Sequence, residues 1–247
     1  MKRDPLFPTE ALLCDAFMAW ARTQGFTVYP ETDGWDLILV DRDGFQIGVE
    51  AKLRLNLKVI TQALPLYGIG DSGPDHRAVL VPERPFDYER LLQLLGLEVF
   101  YAGGVRERWA FMHHERAYQH DRRVLFDWNP KARCRLPEYV PDVRAGLSGP
   151  VQLTPWKIGA LKVLAVIEAR GSITRKQIST LGLDPRAWTG GRGWLVPLDG
   201  DEKRNGRYKL GAPCPRFDMQ HPDVYARVKA DLPAVLAKIP VQAVVDL

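Results

Sequence analysis

Residues 34–52 contain two short segments of apolar residues joined by a turn, and this pattern constrains the fold more than any other feature of the chain. Positions 37–40 are continuously apolar, and apolar side chains then alternate with other residues over 45–50. The dipeptide Asp43-Gly44 between the two segments is typical of tight hairpin turns. The pattern therefore predicts two antiparallel β-strands joined as a hairpin.

Three charged residues lie on this predicted hairpin. Asp36 is near the start of the first strand, and Glu50 and Lys52 end the second. The two carboxylates can converge because their strands are adjacent, and Glu50 and Lys52 share a face because they are two residues apart. Such carboxylates can bind Mg²⁺, and the lysine can stabilise the charge of a reacting phosphodiester. The same residues are also compatible with a solvated sheet edge that has no catalytic role.

The flanking sequence predicts the rest of an α/β domain. Thr9 is a plausible N-cap for a helix that reaches residue 20, and a short strand follows over 26–29. Beyond the hairpin the pattern predicts further helices and strands in alternation, a helix over 57–67, a strand over 77–82, a helix over 87–95 and a strand over 97–101. The fold class expected from the sequence is α/β, with the core order α-β-β-β-α-β.

This order, with Asp36 on the second strand and Glu50-x-Lys52 on the third, resembles the PD-(D/E)xK, or restriction-endonuclease-like, nucleases. The resemblance covers residues 9–102, and Trp35 stands where the motif has its proline. It implies that Asp36 and Glu50 bind Mg²⁺ or Mn²⁺ and that Lys52 is the catalytic lysine. The segment that runs on from Glu50 to residue 64 is also similar to a largely uncharacterised bacterial branch of these nucleases.

The resemblance implies two further site residues. Glu10 matches a helix carboxylate that some branches use as an additional metal ligand, although the helix dipole also favours an acidic residue in a first turn. Gln62 matches a catalytic glutamine on the helix after the lysine. Those branches have a tyrosine four residues later, where this chain has Leu66 and then Tyr67.

The chain is longer than one typical domain, and proline and glycine interrupt it after residue 128. We therefore expect a nuclease-like domain over 1–128, a basic Pro/Gly-rich linker over 129–153 and a second domain over 154–247. Arginine and aromatic residues interleave over 116–135, a mixture that suits nucleic-acid contact or a solvated surface covering the first domain.

Composition argues against several classes of protein. No apolar segment approaches the length of a membrane span, and the first residues lack the apolar core of a signal peptide. We therefore expect no membrane partner and a cytoplasmic location. Cys14, Cys134 and Cys214 are widely separated, which favours free thiols over a disulfide framework or a zinc site.

The pattern over 154–247 predicts three helices and then a hairpin, which resembles a winged helix-turn-helix. The helices are expected over 156–169, over 173–181 and from Asp184, with Pro185 at the first helical position. In such modules the third helix enters the major groove and the hairpin touches the DNA backbone. The resemblance implies double-stranded DNA as the partner and six DNA-binding residues, Arg186, Trp188, Arg192, Lys203, Arg204 and Arg207.

Charge agrees with this division of the chain. Residues 151–247 carry 15 Lys and Arg against 9 Asp and Glu, whereas residues 1–150 carry 19 against 21. The positive excess lies in the segment expected to bind DNA. Winged helices also serve as protein-interaction or dimerisation modules, and the apolar residues near the end, 241–245, predict packing or a homodimer.

These patterns together lead us to expect a metal-dependent DNA endonuclease that hydrolyses phosphodiester bonds in restriction, phage conflict or DNA processing. Two alternatives stay open at this point. One is a catalytically silent nuclease fold that acts as a DNA-binding transcriptional regulator, and the other is an RNA nuclease.

Overall fold

The computed structural model describes residues 6–64, 72–103, 110–112, 125–146, 152–190, 194–198, 206–212 and 214–238. The chain divides into two compact units. The N-terminal unit comprises Met1–Leu136 with Val143–Gln152, and the C-terminal unit comprises Pro137–Asp142 with Leu153–Leu247. The segment expected to be a linker, 129–153, is therefore shared between the two units.

The N-terminal unit is a mixed α/β structure, and this confirms the predicted α/β class. Its elements are α1 (Glu10–Thr23), β1 (Thr27–Thr32), β2 (Trp35–Val40), β3 (Gln46–Ala51), α2 (Leu57–Ala63), β4 (Ser72–Gly73), β5 (His76–Val81), α3 (Glu89–Leu94), β6 (Glu98–Gly103), β7 (Ala110–Met112) and β8 (Ala132–Arg133).

The main sheet has six strands in the order β1-β2-β3-β5-β6-β7. Strands β1, β2 and β3 are antiparallel, β3, β5 and β6 are parallel, and β7 is antiparallel to β6. The short strands β4 and β8 form a separate parallel pair. The sheet is therefore mixed, and its parallel half begins at β3, the strand that carries Glu50.

Helices cover both faces of this sheet. Leu37 and Leu39 on β2 pack in one apolar cluster with the buried side of α1. Ile38 between them packs in a second cluster with residues of α2 and α3. All three side chains are fully buried, which explains why β2 is a continuously apolar sequence rather than an alternating one.

The helix ends follow from local chemistry. The Thr9 side chain accepts a hydrogen bond from the N–H of Leu12 at 3.2 Å, so the predicted N-cap of α1 is confirmed. Helix α2 ends at Ala63 rather than at residue 67. Leu64 is already extended because a residue that precedes a proline, here Pro65, disfavours the helical conformation.

The C-terminal unit is built on one long helix. Its elements are α4 (Pro155–Arg170), β9 (Ile173–Thr174), α5 (Arg175–Thr180), α6 (Pro185–Thr189), β10 (Leu195–Pro197), β11 (Arg207–Leu210), α7 (Phe217–Gln220), α8 (Pro222–Ala230) and α9 (Leu232–Lys238). Three of these strands form a sheet in the order β10-β11-β9. Helix α4 supplies eight of the buried side chains around which the other helices pack. Thr154, Thr174 and Asp184 cap α4, α5 and α6 through their side chains.

A buried polar contact ties residues 137–142 to the C-terminal unit. His221 is fully buried, and its Nδ1 is joined to Asp142 Oδ1 by a hydrogen bond of 2.8 Å. The other carboxylate oxygen accepts hydrogen bonds from the N–H groups of Asp223 and Val224 in the first turn of α8. A carboxylate is favoured there because the N–H groups of a first helical turn are otherwise unpaired.

The described residues also show the state of the three cysteines and the length and polarity of the helices. Cys14, Cys134 and Cys214 are free thiols, as expected. In the ranges that the structure covers, every helix is too short or too polar to cross a membrane.

Candidate active site

The hairpin of β2 and β3 sets Asp36 across from Glu50. Leu37 pairs with Val49, and the next position in the same register joins Asp36 with Glu50. Asp41 stabilises the turn between the strands, because its Oδ1 accepts a hydrogen bond from the N–H of Phe45 at 3.0 Å. The Asp-Gly turn and the alternating pattern thus bring the two predicted carboxylates together.

The two carboxyl groups form a coupled pair, in which Glu50 is buried and Asp36 is half-buried. Glu50 is only 6% exposed, and burial together with the charge of Asp36 raises its pKa to about 8. Burial also raises the pKa of Asp36, although a hydrogen bond of 2.7 Å from the N–H of Ala51 to Oδ2 acts in the opposite direction. A side-chain hydrogen bond links the two groups, with Glu50 as the protonated partner. At neutral pH one proton therefore stays on the pair.

Lys52 provides a cation beside this pair. Its Nζ donates a hydrogen bond to Glu10 Oε2 at 2.8 Å, and both side chains are partly exposed. Burial on its own would lower the pKa of Lys52, but the hydrogen bond to Glu10 and the negative charges of Asp36, Glu10 and Glu50 outweigh it, so the pKa is raised. The lysine is therefore held in its charged form. Glu10, expected to be a metal ligand, is hydrogen-bonded to Lys52 in this structure.

Glu31 is a third carboxylate of this region that the sequence analysis missed. It lies on β1 at the position across from Asp36, between the observed pairs Pro30–Leu37 and Thr32–Trp35. Burial and the charge of Asp36 raise the pKa of Glu31 despite a hydrogen bond from the N–H of Gly146. Its φ of 47° is in the left-handed region, which costs a residue other than glycine about 1–3 kcal/mol.

A sequence signal for Glu31 does exist. Asp33 and Gly34 both have positive φ values, as a two-residue hairpin turn requires. A hairpin closed by these two residues fixes the register of β1 against β2, and that register aligns residue 31 with residue 36. The dipeptide Asp33-Gly34 was therefore sufficient to identify Glu31 as a neighbour of Asp36.

Residues 143–146 hold Glu31 in place from a distant part of the sequence. The N–H of Gly146 donates to Glu31 Oε1 at 2.8 Å, and Arg144 pairs with Asp15 on α1 at 2.6 Å. Gly146 has a φ of 73°, and a Cβ atom there would lie 3.0 Å from the backbone at the start of α1. Only glycine fits this position without strain.

Two carboxylates, rather than three, form the core of the site. In the described part of the chain, no group of three or more His, Cys, Asp or Glu side chains is arranged to hold a metal ion. Mg²⁺ nevertheless needs only one or two protein carboxylates when waters and substrate phosphate complete its coordination. The pair Asp36 and Glu50 fits this requirement, because a divalent cation can replace the proton that the pair shares.

Gln62, expected to be catalytic, makes no hydrogen bond to the other predicted catalytic residues within the described chain. It is exposed in the last turn of α2. Among the hydrogen bonds of the described residues, none joins Gln62 to Asp36, Glu50 or Lys52. Leu66 and Tyr67, which were compared with the tyrosine of related branches, are outside the described residues.

The predicted DNA-binding residues fall into three groups, those that are at least partly exposed, one that is buried and those outside the described residues. Arg186 is exposed on α6 and Arg207 is partly exposed on β11. Trp188 is only 1% exposed and stacks on Trp156 in the core, so the expectation that it contacts DNA is wrong. The remaining three residues, Arg192, Lys203 and Arg204, lie outside the described part of the chain.

The burial of Trp188 has a simple cause. Helix α6 spans only five residues, and Trp188 joins a cluster of four aromatic rings with Trp156, Trp194 and Phe217. Packing such a ring in the core removes a large apolar area from water, so the buried position is more stable than a solvent-exposed one.

Comparisons of the chain with protein-family models, with curated proteins and with solved structures found no match.

Proposed function

We propose that the protein is a metal-dependent endonuclease that hydrolyses phosphodiester bonds in DNA. The observation that carries this proposal is the pair of Asp36 and Glu50 on neighbouring strands, with Glu50 buried and Lys52 held beside them by Glu10. A lysine and two carboxylate ligands on neighbouring strands are the groups that a metal-assisted attack of water on phosphate needs.

The order of elements supports the same proposal. Helix α1, the antiparallel strands β1 to β3, helix α2 and the parallel strand β5 follow one another, and Asp36 and Glu50 lie on the second and third strands. This arrangement resembles the αβββαβ core of the PD-(D/E)xK nucleases. We propose membership of that superfamily on this resemblance.

Each residue then has a defined role. Asp36 and Glu50 would hold Mg²⁺ or Mn²⁺, which supplies polarisation of the phosphate and a lower pKa for the attacking water. Glu50 must release its proton before it can bind a cation. Lys52 stabilises the negative charge that develops as the water oxygen bonds to phosphorus and the bond to the leaving oxygen breaks. Glu10 orients the lysine through their hydrogen bond.

The C-terminal unit would bind double-stranded DNA. Helices α4, α5 and α6, followed by β10 and β11, have the order of a winged helix-turn-helix. Arg186 is exposed on the third of these helices, the one that enters the major groove in such modules. The excess of positive charge in residues 151–247 supports a role in phosphate contact.

The catalytic part of the proposal is tested by incubating the purified full chain with plasmid DNA in Mg²⁺, Mn²⁺ or EDTA. The protein should cut DNA with either metal and not with EDTA. Asp36→Asn and Glu50→Gln should each abolish cleavage while circular dichroism shows a folded chain. Lys52→Ala should lower turnover by roughly two orders of magnitude or more with little change in DNA affinity. Full activity of any folded variant would refute the role given to that residue.

The DNA-binding part is tested with charge reversal in the full chain. Arg186→Glu should weaken binding to a duplex and reduce the salt dependence of affinity by about one phosphate contact. Arg22→Glu is the matched control, since it makes the same charge change at an exposed site on α1. Equal effects of the two substitutions would show that α6 has no special role.

The alternatives make different forecasts in the same assays. A catalytically silent regulator would bind duplex DNA with the same dependence on Arg186 but would cut nothing in any metal. An RNA nuclease would cut a matched RNA strand and leave the DNA strand intact. The intact set of Asp36, Glu50 and Lys52 favours catalysis over the silent scaffold.

A further inference from the structure

A cavity of about 690 Å³ lies in the N-terminal unit next to the candidate active site. Three segments line it, residues 6–8 before α1, residues 53–55 after β3 and residues 81–88 after β5. Its volume falls within the roughly 300–1,000 Å³ of pockets that bind small molecules or single groups of larger ligands. We call it the Phe86 pocket, after the most exposed aromatic residue in its lining.

Each lining segment is linked to the candidate site, either along the chain or through a backbone hydrogen bond. Residue 53 follows Lys52, and residues 6–8 lead into the first turn of α1, where Glu10 holds the Lys52 side chain. Residue 81 follows Leu80, whose carbonyl accepts a hydrogen bond from the N–H of Lys52 at 2.9 Å. The pocket therefore borders the backbone that carries Lys52, and its lining segments lie next to the chain positions of the candidate site.

Phe86 gives the pocket a stacking surface. Its side chain is 71% exposed, and one side of the ring lies against the guanidinium of Arg84, with the carbon of that group 4.9 Å from the ring centroid. Glu89 pairs with Arg84 through both carboxylate oxygens and so fixes its orientation. A ring held in this way presents a flat apolar face, and nucleobases stack on such faces.

The charges around the pocket indicate how much nucleic acid it can accept. Arg54 and Arg84 are balanced by Glu83 and Asp87, so the lining has no net charge. Arg54 is exposed, and within the described residues it has no ion-pair partner, so it is available to one phosphate. A duplex presents many phosphates, which a lining without net charge would not attract. One nucleotide presents a single phosphate for Arg54 and an aromatic base for Phe86.

We propose that the Phe86 pocket binds an unpaired nucleotide of the DNA strand at the cleavage site, with its base stacked on Phe86 and its phosphate near Arg54. The proposal rests on the proposed function, because it takes DNA as the ligand. It adds a preference, among DNA substrates, for DNA that has a single-stranded end or an unpaired nucleotide beside the scissile bond.

The test measures binding separately from cleavage. The full chain carrying Asp36→Asn is titrated, in EDTA, with three fluorescent hairpin DNAs that share one duplex: a blunt hairpin, one with three unpaired thymidines at the 5′ end and one with them at the 3′ end. The protein should bind one of the two overhang hairpins between about 5-fold and 100-fold more tightly than the blunt hairpin, the range expected for base stacking. Any contact of the C-terminal unit with the duplex is common to all three.

Phe86→Ala should remove most of this preference, and Arg54→Gln should reduce it. Leu94→Ala is the matched control, because Leu94 is 77% exposed in the same unit but does not line the pocket. All three side chains are exposed, so the variants should fold normally. Equal affinity of the Asp36→Asn protein for blunt and overhang DNA, or a preference that survives Phe86→Ala, would overturn the proposal.

Failure of the pocket and failure of the catalytic function give separate results. Overhang preference that depends on Phe86, in a protein that cuts nothing in Mg²⁺, would support the pocket and refute the nuclease. Metal-dependent cleavage that treats blunt and overhang DNA alike, and that Phe86→Ala leaves unchanged, would support the nuclease and overturn the pocket.

Discussion

Replacing Glu50 by glutamine is expected to remove a pH-dependent loss of stability from the metal-free protein. The pKa of Glu50 is raised from 4.5 to about 8 in the folded chain because the group is buried beside Asp36. The unfolded chain loses this proton near pH 4.5, whereas the folded chain keeps it until about pH 8. Between these values the unfolded state binds fewer protons, so stability falls as the pH rises.

The magnitude follows from the width of that window. Each pH unit inside it costs about 1.4 kcal/mol, so the step from about pH 5 to about pH 7.5 should cost the wild-type site roughly 3 kcal/mol. Glutamine does not ionise, so the Glu50→Gln site should lose less over the same interval, and what remains comes from the raised pKa values of Asp36 and Glu31. The amide can still donate a hydrogen bond to Asp36, as the protonated carboxyl group does.

Hydrogen exchange of the β2 and β3 amides, measured in EDTA at the two pH values and corrected for intrinsic rates, reports the local stability directly. Glu83→Gln is the control, since it removes an exposed carboxylate from the same unit. With rising pH, the wild type and Glu83→Gln should lose clearly more protection than Glu50→Gln. Parallel pH profiles for wild type and Glu50→Gln would refute the buried, protonated pair.

Three further substitutions test the packing around the site and in the C-terminal unit. Gly48→Ala should lower the free energy of unfolding by about 1–3 kcal/mol, because a Cβ atom would lie 2.6 Å from the ring of Trp35; urea denaturation measures this, and an unchanged midpoint would contradict it. Gly146→Ala should destabilise the protein more than Gly171→Ala in the same assay, since both have a positive φ but only Gly146 is crowded; equal losses would show that crowding is unimportant. Asp142→Ala should cost about 3 kcal/mol or more by leaving a buried histidine and two helix N–H groups unpaired, and unchanged exchange of the α8 amides would refute this anchor.

The part of the site that depends on local sequence could be predicted. Apolar patterning and the Asp43-Gly44 turn located β2 and β3, and their pairing brought Asp36 and Glu50 together. Glu31 lies outside the nuclease motif, and only the strand register set by the Asp33-Gly34 turn aligns it with Asp36.

Other features depend on contacts between residues far apart in the chain. The hydrogen bond between Gly146 and Glu31 joins residues 115 positions apart, and the one between Asp142 and His221 joins residues 79 positions apart. No local pattern in the sequence predicts either contact. The side of α6 that faces the core is also a tertiary property. A helix of five residues carries too little periodicity to show that Trp188 points inward while Arg186 is exposed.

Anomalous X-ray scattering from crystals soaked in Mn²⁺ locates the bound ion without reference to any activity. We expect one strong Mn²⁺ peak within coordination distance of Asp36 and Glu50 in crystals grown above about pH 8, and no peak there in Asp36→Asn crystals. A wild-type crystal with no peak at this pair, or with Mn²⁺ bound only elsewhere, would contradict the assignment of Asp36 and Glu50 as the metal site.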